Sequence, residues 1–323
     1  MDRFSARSIK ERAADALHAA AYPPRKLVLL HTGAALLVSL LLTVIHYFLS
    51  EGIGTTGGLE GIGTRTLLSS AQTLLQMAAT LALPFWEMGL LFCILRLSRQ
   101  QACSPKDLTR GFHRFAPLLR LTVLEFLLYG SLAFVSIQLM SFLFAMTPFA
   151  MPVMEQMSQL MQSDAFRQSG TFPPEFLEQM LPYMIPVYVC ALLLFFAAAI
   201  PLFYRFRFSR FVIMDGGQDR ALLALHMSSR LSKGHCLELL RLDLSYWWYY
   251  ALQLLVAFVA YADLALPALG ICLDEEVAFF GTLLLHLALS LALAWYCKAQ
   301  VDTSYACFYR QLLPPEKPEL PQT

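Results

Sequence analysis

Six long apolar stretches, at about residues 27–49, 67–95, 117–147, 183–204, 244–262 and 277–297, constrain this chain more than any other feature. Crossing about 30 Å of hydrocarbon at 1.5 Å per residue takes about 20 apolar residues in a helix. The expected fold class is therefore all-α: a polytopic membrane protein with six transmembrane helices, short interfacial amphipathic helices and both termini cytoplasmic. The second and third stretches exceed the length of a span and are predicted to tilt, kink or extend beyond the bilayer. Composition agrees, since 57% of the 323 residues are hydrophobic and 15% charged, against about 25% charged in soluble domains.

The basic residues set the expected orientation, because Lys and Arg stay in cytoplasmic segments. Of 24 Lys and Arg, 22 lie in the N-terminal segment, the second-to-third and fourth-to-fifth connections and the tail. The three opposite segments hold only Arg65 and Arg167, together with ten acidic residues such as Glu51, Glu155 and Asp274. The domain reading follows: residues 1–26 form a cytoplasmic amphipathic helix, 27–310 the six-helix domain and 311–323 a Pro-rich cytoplasmic tail. A net charge of +1 without a concentrated basic face argues against a nucleic-acid partner.

The N-terminal apolar stretch is longer than a signal-peptide h-region, and no A-x-A-like site follows it, so it is read as a retained span. Before it, SIKE at residues 8–11 has the form of a capping box opening a helix with Ile9, Ala13 and Leu17 on one side, predicted to lie along the inner membrane surface. SPKD at 104–107, with Pro105 at the first helical position, opens the approach to the third span. A third, weaker start at 215–218, DGGQ, leads to Gly234 as a stop. These three entries invite a threefold repeat of interfacial helix, breaker, outward span and return span; any six-span chain with both ends inside has the same three entries.

Catalytic motifs are lacking. GIGTTG at 52–57 matches a dinucleotide fingerprint in letters only, since it follows a membrane helix rather than a strand. There is no Walker lysine, H-E-x-x-H or C-x-x-C. Only Cys272 of seven cysteines falls in an outer segment, leaving no obvious disulfide pair. Met151, Met154, Met157 and Met161 form a soft stripe with Leu160, read as a helix on the outer leaflet, with Cu(I) ligation as the alternative. No cofactor and no metal are expected.

Tyr246, Trp247, Trp248, Tyr249 and Tyr250 surround one helical turn with aromatic rings, which favour the bilayer interface and are read as anchors of the fifth span. Just before them Glu238 and Arg241 share a helix face with Ser245, while Asp243 points away and calls for its own partner, Arg205, Arg207 or Arg210, or else for water. Ionisable groups inside the spans are costly and so mark candidate sites. Glu87, near the helix-kinking Pro84, and Glu125 lie level at about 12 Å from the cytoplasmic face, and could share a proton, bind a cation, or be two separate structural carboxyls. His286 sits midway through the sixth span and reads as a satisfied interior histidine more readily than as a proton relay.

The run MSSRLSKGHCLELLRLDLSYWW at 227–248, preceded by YRFRFSRFVIMD and followed later by YACFYRQL, resembles the bacterial integral-membrane family filed as domain of unknown function 975. GLLFCILRLSRQQACSPKDLTRGFHRF, at 89–115, is similar to that family's second-to-third connection. The Met-rich outer segment and LQLLVAFVAYADLALP are less typical of it. The resemblance implies a plasma-membrane protein of a Gram-positive-type bacterium and supplies no reaction. The expected function is thus a non-enzymatic membrane protein for organisation, sensing or partner binding, with a small transporter using intramembrane carboxylates as the alternative and a membrane-embedded enzyme as the least supported. The candidate partners are the lipid bilayer, anionic lipid or another membrane protein.

Overall fold

The computed structural model describes residues 4–20, 22–54, 59–148, 150–152, 154, 155, 158, 174–216, 219–262 and 275–314, and among these every regular element is helical. In chain order they are α1 (Ala6–His18), α2 (Pro24–Gly54), α3 (Leu59–Ser98), a 3₁₀ turn (Pro105–Thr109), α4 (Arg110–His113), α5 (Phe115–Ala145) and α6 (Pro174–Phe206). They continue with α7 (Ser209–Met214), α8 (Ala221–Ser232), α9 (Cys236–Ser245), α10 (Trp247–Val259) and α11 (Glu275–Leu293). A π-helical turn (Ala294–Lys298) then joins α11 to α12 (Ala299–Leu312).

Five described helical segments are long and apolar enough to cross a membrane: Pro24–Ile45, Thr73–Ser98, Phe115–Ala145, Pro182–Met214 and Val277–Leu312. They coincide with five of the six predicted spans. The remaining predicted span, 244–262, is α10, apolar but only 13 residues long, or about 20 Å. A break at Tyr246, φ −112°, separates it from the charged α9. Residues 55–57 of GIGTTG, Met157, Leu160, Met161, Arg167, Cys272, Asp274 and the tail beyond residue 314 lie outside the described residues. Met151 and Met154 are exposed.

The chain divides into two compact units: Met1–Leu118 with Phe208–Thr323, and Leu119–Arg207. The first is organised around α12. Val301, Thr303, Ser304, Tyr305, Ala306, Phe308 and Tyr309 are all buried there, although four of these seven carry polar groups. α1 packs against α12 and α3 through Ile9, Ala13 and Ala16, with the Phe4 ring 5.4 Å from Phe308. Its apolar stripe is thus covered by protein. The helix also starts earlier than SIKE suggests: Ser5 is the N-cap and its hydroxyl accepts from the Ser8 N–H at 3.3 Å. Glu11 instead pairs with Arg7 at 2.9 Å.

SPKD behaves as its spacing predicts. Asp107 accepts from the Ser104 N–H at 2.9 Å and its hydroxyl at 3.2 Å, and faces Arg96 at 3.6 Å. This turn lies so close to α3 that a Cβ on Gly89 would be 1.6 Å from the Leu108 carbonyl oxygen, and one on Gly111 1.8 Å from that of Phe85. Only glycine permits that approach. Gly234 ends α8 with φ +88°, a conformation that favours glycine. Polar ties complete the unit. Arg99 meets Asp215 at 2.6 Å, Arg310 donates to the Ser98 carbonyl at 2.6 Å, and the buried Ser228 hydroxyl accepts from the Phe208 N–H at 3.1 Å.

The second unit consists, among the described residues, of most of α5 and α6. Both are predominantly apolar and present Phe126, Phe134, Phe142, Leu193 and Phe203 outward. At the end of α6, Arg207 lies over the Phe203 ring at 5.1 Å.

Candidate functional site

A cavity of about 580 Å³ opens within the first unit, between α2, α3, α10, α11 and the π-helical turn. Glu87 and His286, two of the polar residues singled out in the sequence, both line it, joined by His31, Thr32, Gln253, Ser290 and Lys298. Leu36, Leu83, Pro84, Val256 and Leu293 supply apolar wall. The mixture suits a ligand with both an apolar body and a polar group.

Each polar side chain has a local reason for its place. Trp86 donates from Nε1 to the His31 carbonyl at 3.0 Å and stacks on the His31 ring, with centroids 5.6 Å apart and planes inclined by 8°. α2 and α3 are thereby clamped where His31 meets the cavity. His31 is 6% exposed, and both its ring nitrogens, like the Thr32 hydroxyl, are buried without a hydrogen-bond partner among the described residues. Buried polar atoms normally have partners, so three orphans beside a cavity mark a place where a guest molecule or water completes the bonding. His286 differs. Its Nδ1 donates to the Val256 carbonyl at 2.9 Å. The expected interior histidine is therefore tied to backbone and faces the same cavity.

Glu87 is exposed within the cavity wall. Lys298 reaches the cavity from the π-helical turn and holds Asp302 at 3.1 Å, while also sensing the charge of Glu87. Glu125 belongs to α5 in the second unit, half-buried, and is not among the residues lining this cavity. The carboxylate of Glu87 thus shares its surroundings with two histidines and a lysine. His31 and Lys298 escape the sequence reading because one looks like any polar residue in an apolar run and the other counts simply as a cationic end. An unexplained histidine one turn into the first apolar stretch was the available signal.

The aromatic turn is two-faced. Tyr246 and Tyr249 are 2% and 3% exposed, whereas Trp247 and Trp248 are 67% and 40% exposed. Tyr246 shares a 2.8 Å hydrogen bond with Ser304, Tyr249 accepts from Gln253 at 3.1 Å, and Tyr250 meets the Tyr305 hydroxyl at 2.5 Å. Two of the five rings are therefore pieces of protein interior. The Tyr305 hydroxyl donates to Asp243, a partner additional to the arginines and water that the sequence suggests. Arg205 stands in the last turn of α6, in the second unit. Glu238 faces His235, Oε2 to Nδ1 at 3.9 Å, while Arg241 is exposed. Lys10 donates to the Ser245 carbonyl at 2.9 Å and sits 4.1 Å above the Tyr246 ring; burial holds its pKa below the usual lysine value.

Among the described residues no cluster of three His, Cys, Asp or Glu side chains is arranged to hold a metal ion. Neither a curated protein nor a solved structure matches the chain. A family does match, over residues 25–315, and those bounds take in the clamp, the cavity and α12 alike; the chain belongs to the family described as Protein of unknown function (DUF975).

Proposed function

We propose that this protein is a non-enzymatic multi-pass membrane protein, with both termini in the cytoplasm, that binds a small amphiphilic solute in the cavity of its first unit and acts as a sensor or organiser in the plasma membrane. The observation that carries the reading is the His31 side chain: buried, without a hydrogen-bond partner at either nitrogen among the described residues, and lining one cavity with Glu87 and Lys298. A cation and an anion at one site suit a solute that bears an ionised head and further hydrogen-bonding groups. In this reading Trp247 and Trp248 sit in the lipid interface, where their rings are stable.

A transporter is the second reading, because ionisable groups on the wall of an open intramembrane cavity also suit a conduction path. Reconstituted protein separates the two. Wild type and Glu87→Gln are compared for thermal stabilisation by a panel of small zwitterionic and cationic amphiphiles, with flux of each compound measured in parallel. Stabilisation lost in Glu87→Gln, without flux, supports binding and sensing. Flux lost in Glu87→Gln supports transport. Neither stabilisation nor flux across the panel overturns both.

A further inference from the structure

A second cavity, of about 460 Å³, lies where α1 gives way to α2, with the π-helical turn and the start of α12 as its other wall. Its charged lining is basic. Arg25, Lys26 and His18 contribute to it, and no aspartate or glutamate does. Neither Arg25 nor Lys26 has an ion-pair partner among the described residues, in contrast to Arg96, Arg99, Arg114 and Lys298 of the same unit. Two exposed cations without a protein counter-charge, both lining one concavity, leave it open to an anion.

Three further observations narrow the ligand. The cavity is at the N-terminal end of the 31-residue α2, whose aligned peptide dipoles add positive potential there. Trp295 and Tyr296 form its opposite wall, and Leu27, the first residue of the apolar stretch, follows Lys26 directly, so the site is level with the edge of the hydrocarbon layer. Ala14 and Leu17 give it an apolar floor. A compact anion at that depth, continuous with apolar material, has the chemistry of a phosphate carried on a lipid.

We infer that Arg25, Lys26 and His18, with Trp295 and Tyr296, form a binding site for a phosphate group, presented by an anionic lipid headgroup or as free phosphate. The site is distinct from the cavity of Glu87 and His31, and its occupancy would fix α1 against the first span. It makes no use of the residues on which the proposed function rests.

Calorimetric titration of the full-length purified protein in neutral detergent tests the site with three probes: dioctanoyl phosphatidylglycerol, dioctanoyl phosphatidylcholine and inorganic phosphate. Wild type is expected to prefer phosphatidylglycerol to phosphatidylcholine by about tenfold, and Arg25→Gln/Lys26→Gln to lose that preference. The charge-preserving exchange Arg25→Lys/Lys26→Arg should retain it, as should Arg230→Gln/Lys233→Gln, which guards against a result due to misfolding or to net charge. Saturable phosphate binding that is lost in the Gln variant, without a lipid preference, supports the site and assigns it to soluble phosphate. Equal affinity for the two lipids together with no phosphate binding in wild type, or selectivity that persists in Arg25→Gln/Lys26→Gln, overturns the inference.

Discussion

In the first unit α12 hides Thr303, Ser304, Tyr305 and Phe308 from solvent and gives each polar group among them a partner, whereas the second unit turns Phe126, Phe134 and Phe142 outward along α5. Both regions are helical and both are rich in aromatic residues, yet they solve different problems. A buried hydroxyl accepts only a partner at the right distance and angle, so α12 specifies its neighbours one by one. An outward phenylalanine asks only for apolar surroundings, and lipid acyl chains provide those without shape complementarity. Hydropathy therefore reports where the second unit sits, while the arrangement of the first depends on particular atoms.

The sharpest way to break this contrast is to truncate one aromatic residue in each region. Phe308→Ala, at a fully buried ring, should lower stability by about 3–5 kcal/mol, read as loss of monodisperse protein on heating in detergent. Phe126→Ala, at a ring 75% exposed, should stay within about 0.5 kcal/mol of wild type. Equal losses would remove the distinction between the units. Glycine offers a second test. Gly89→Ala forces a Cβ into the Leu108 carbonyl and should cost about 1–3 kcal/mol; Gly130→Ala on α5, with open space around its Cβ, should be neutral or stabilising by up to about 1 kcal/mol in the same heating assay.

The smallest expected effect comes from pH. Burial raises the pKa of Asp107, but the Ser104 N–H and hydroxyl and the Arg96 and Arg110 guanidiniums outweigh it and hold the carboxyl below its usual range. A carboxyl depressed on folding stabilises the folded state above its unfolded pKa, and that contribution fades as pH falls through the folded value, here below about pH 4. The melting temperature of wild type should therefore drop more steeply between about pH 5 and 3 than that of Asp107→Asn. Parallel curves would show that this turn is not held by charge.

Much of the fold was legible because span length is a one-dimensional property. Five of the predicted spans needed only a count of apolar residues, and the SPKD cap needed only spacing. The family resemblance was legible for the same reason. Features that depend on neighbours distant in sequence were not. Glu87 was set level with Glu125 by counting residues from the helix ends, but depth carries no information about azimuth, and the structure groups Glu87 with His31, His286 and Lys298. The aromatic turn reads as uniform because five rings occupy it; two of them are buried, Tyr246 against Ser304 of α12, and α12 itself reads as a polar tail until Tyr246, Asp243 and Arg99 are seen around it.

The π-helical turn at Ala294–Lys298 acts as a phase shifter. It contains about one residue more than an α-helix needs to cover the same rise, so every side chain beyond it is rotated by about 100° from where an unbroken α-helix would carry it. Ala294 and Lys298 then look into one cavity while Trp295 and Tyr296 look into the other, and Tyr305 arrives opposite Asp243. Tightening those five residues to α geometry would swing α12 about its own axis like a key, withdrawing the Asp243 partner and both cavity walls in a single movement.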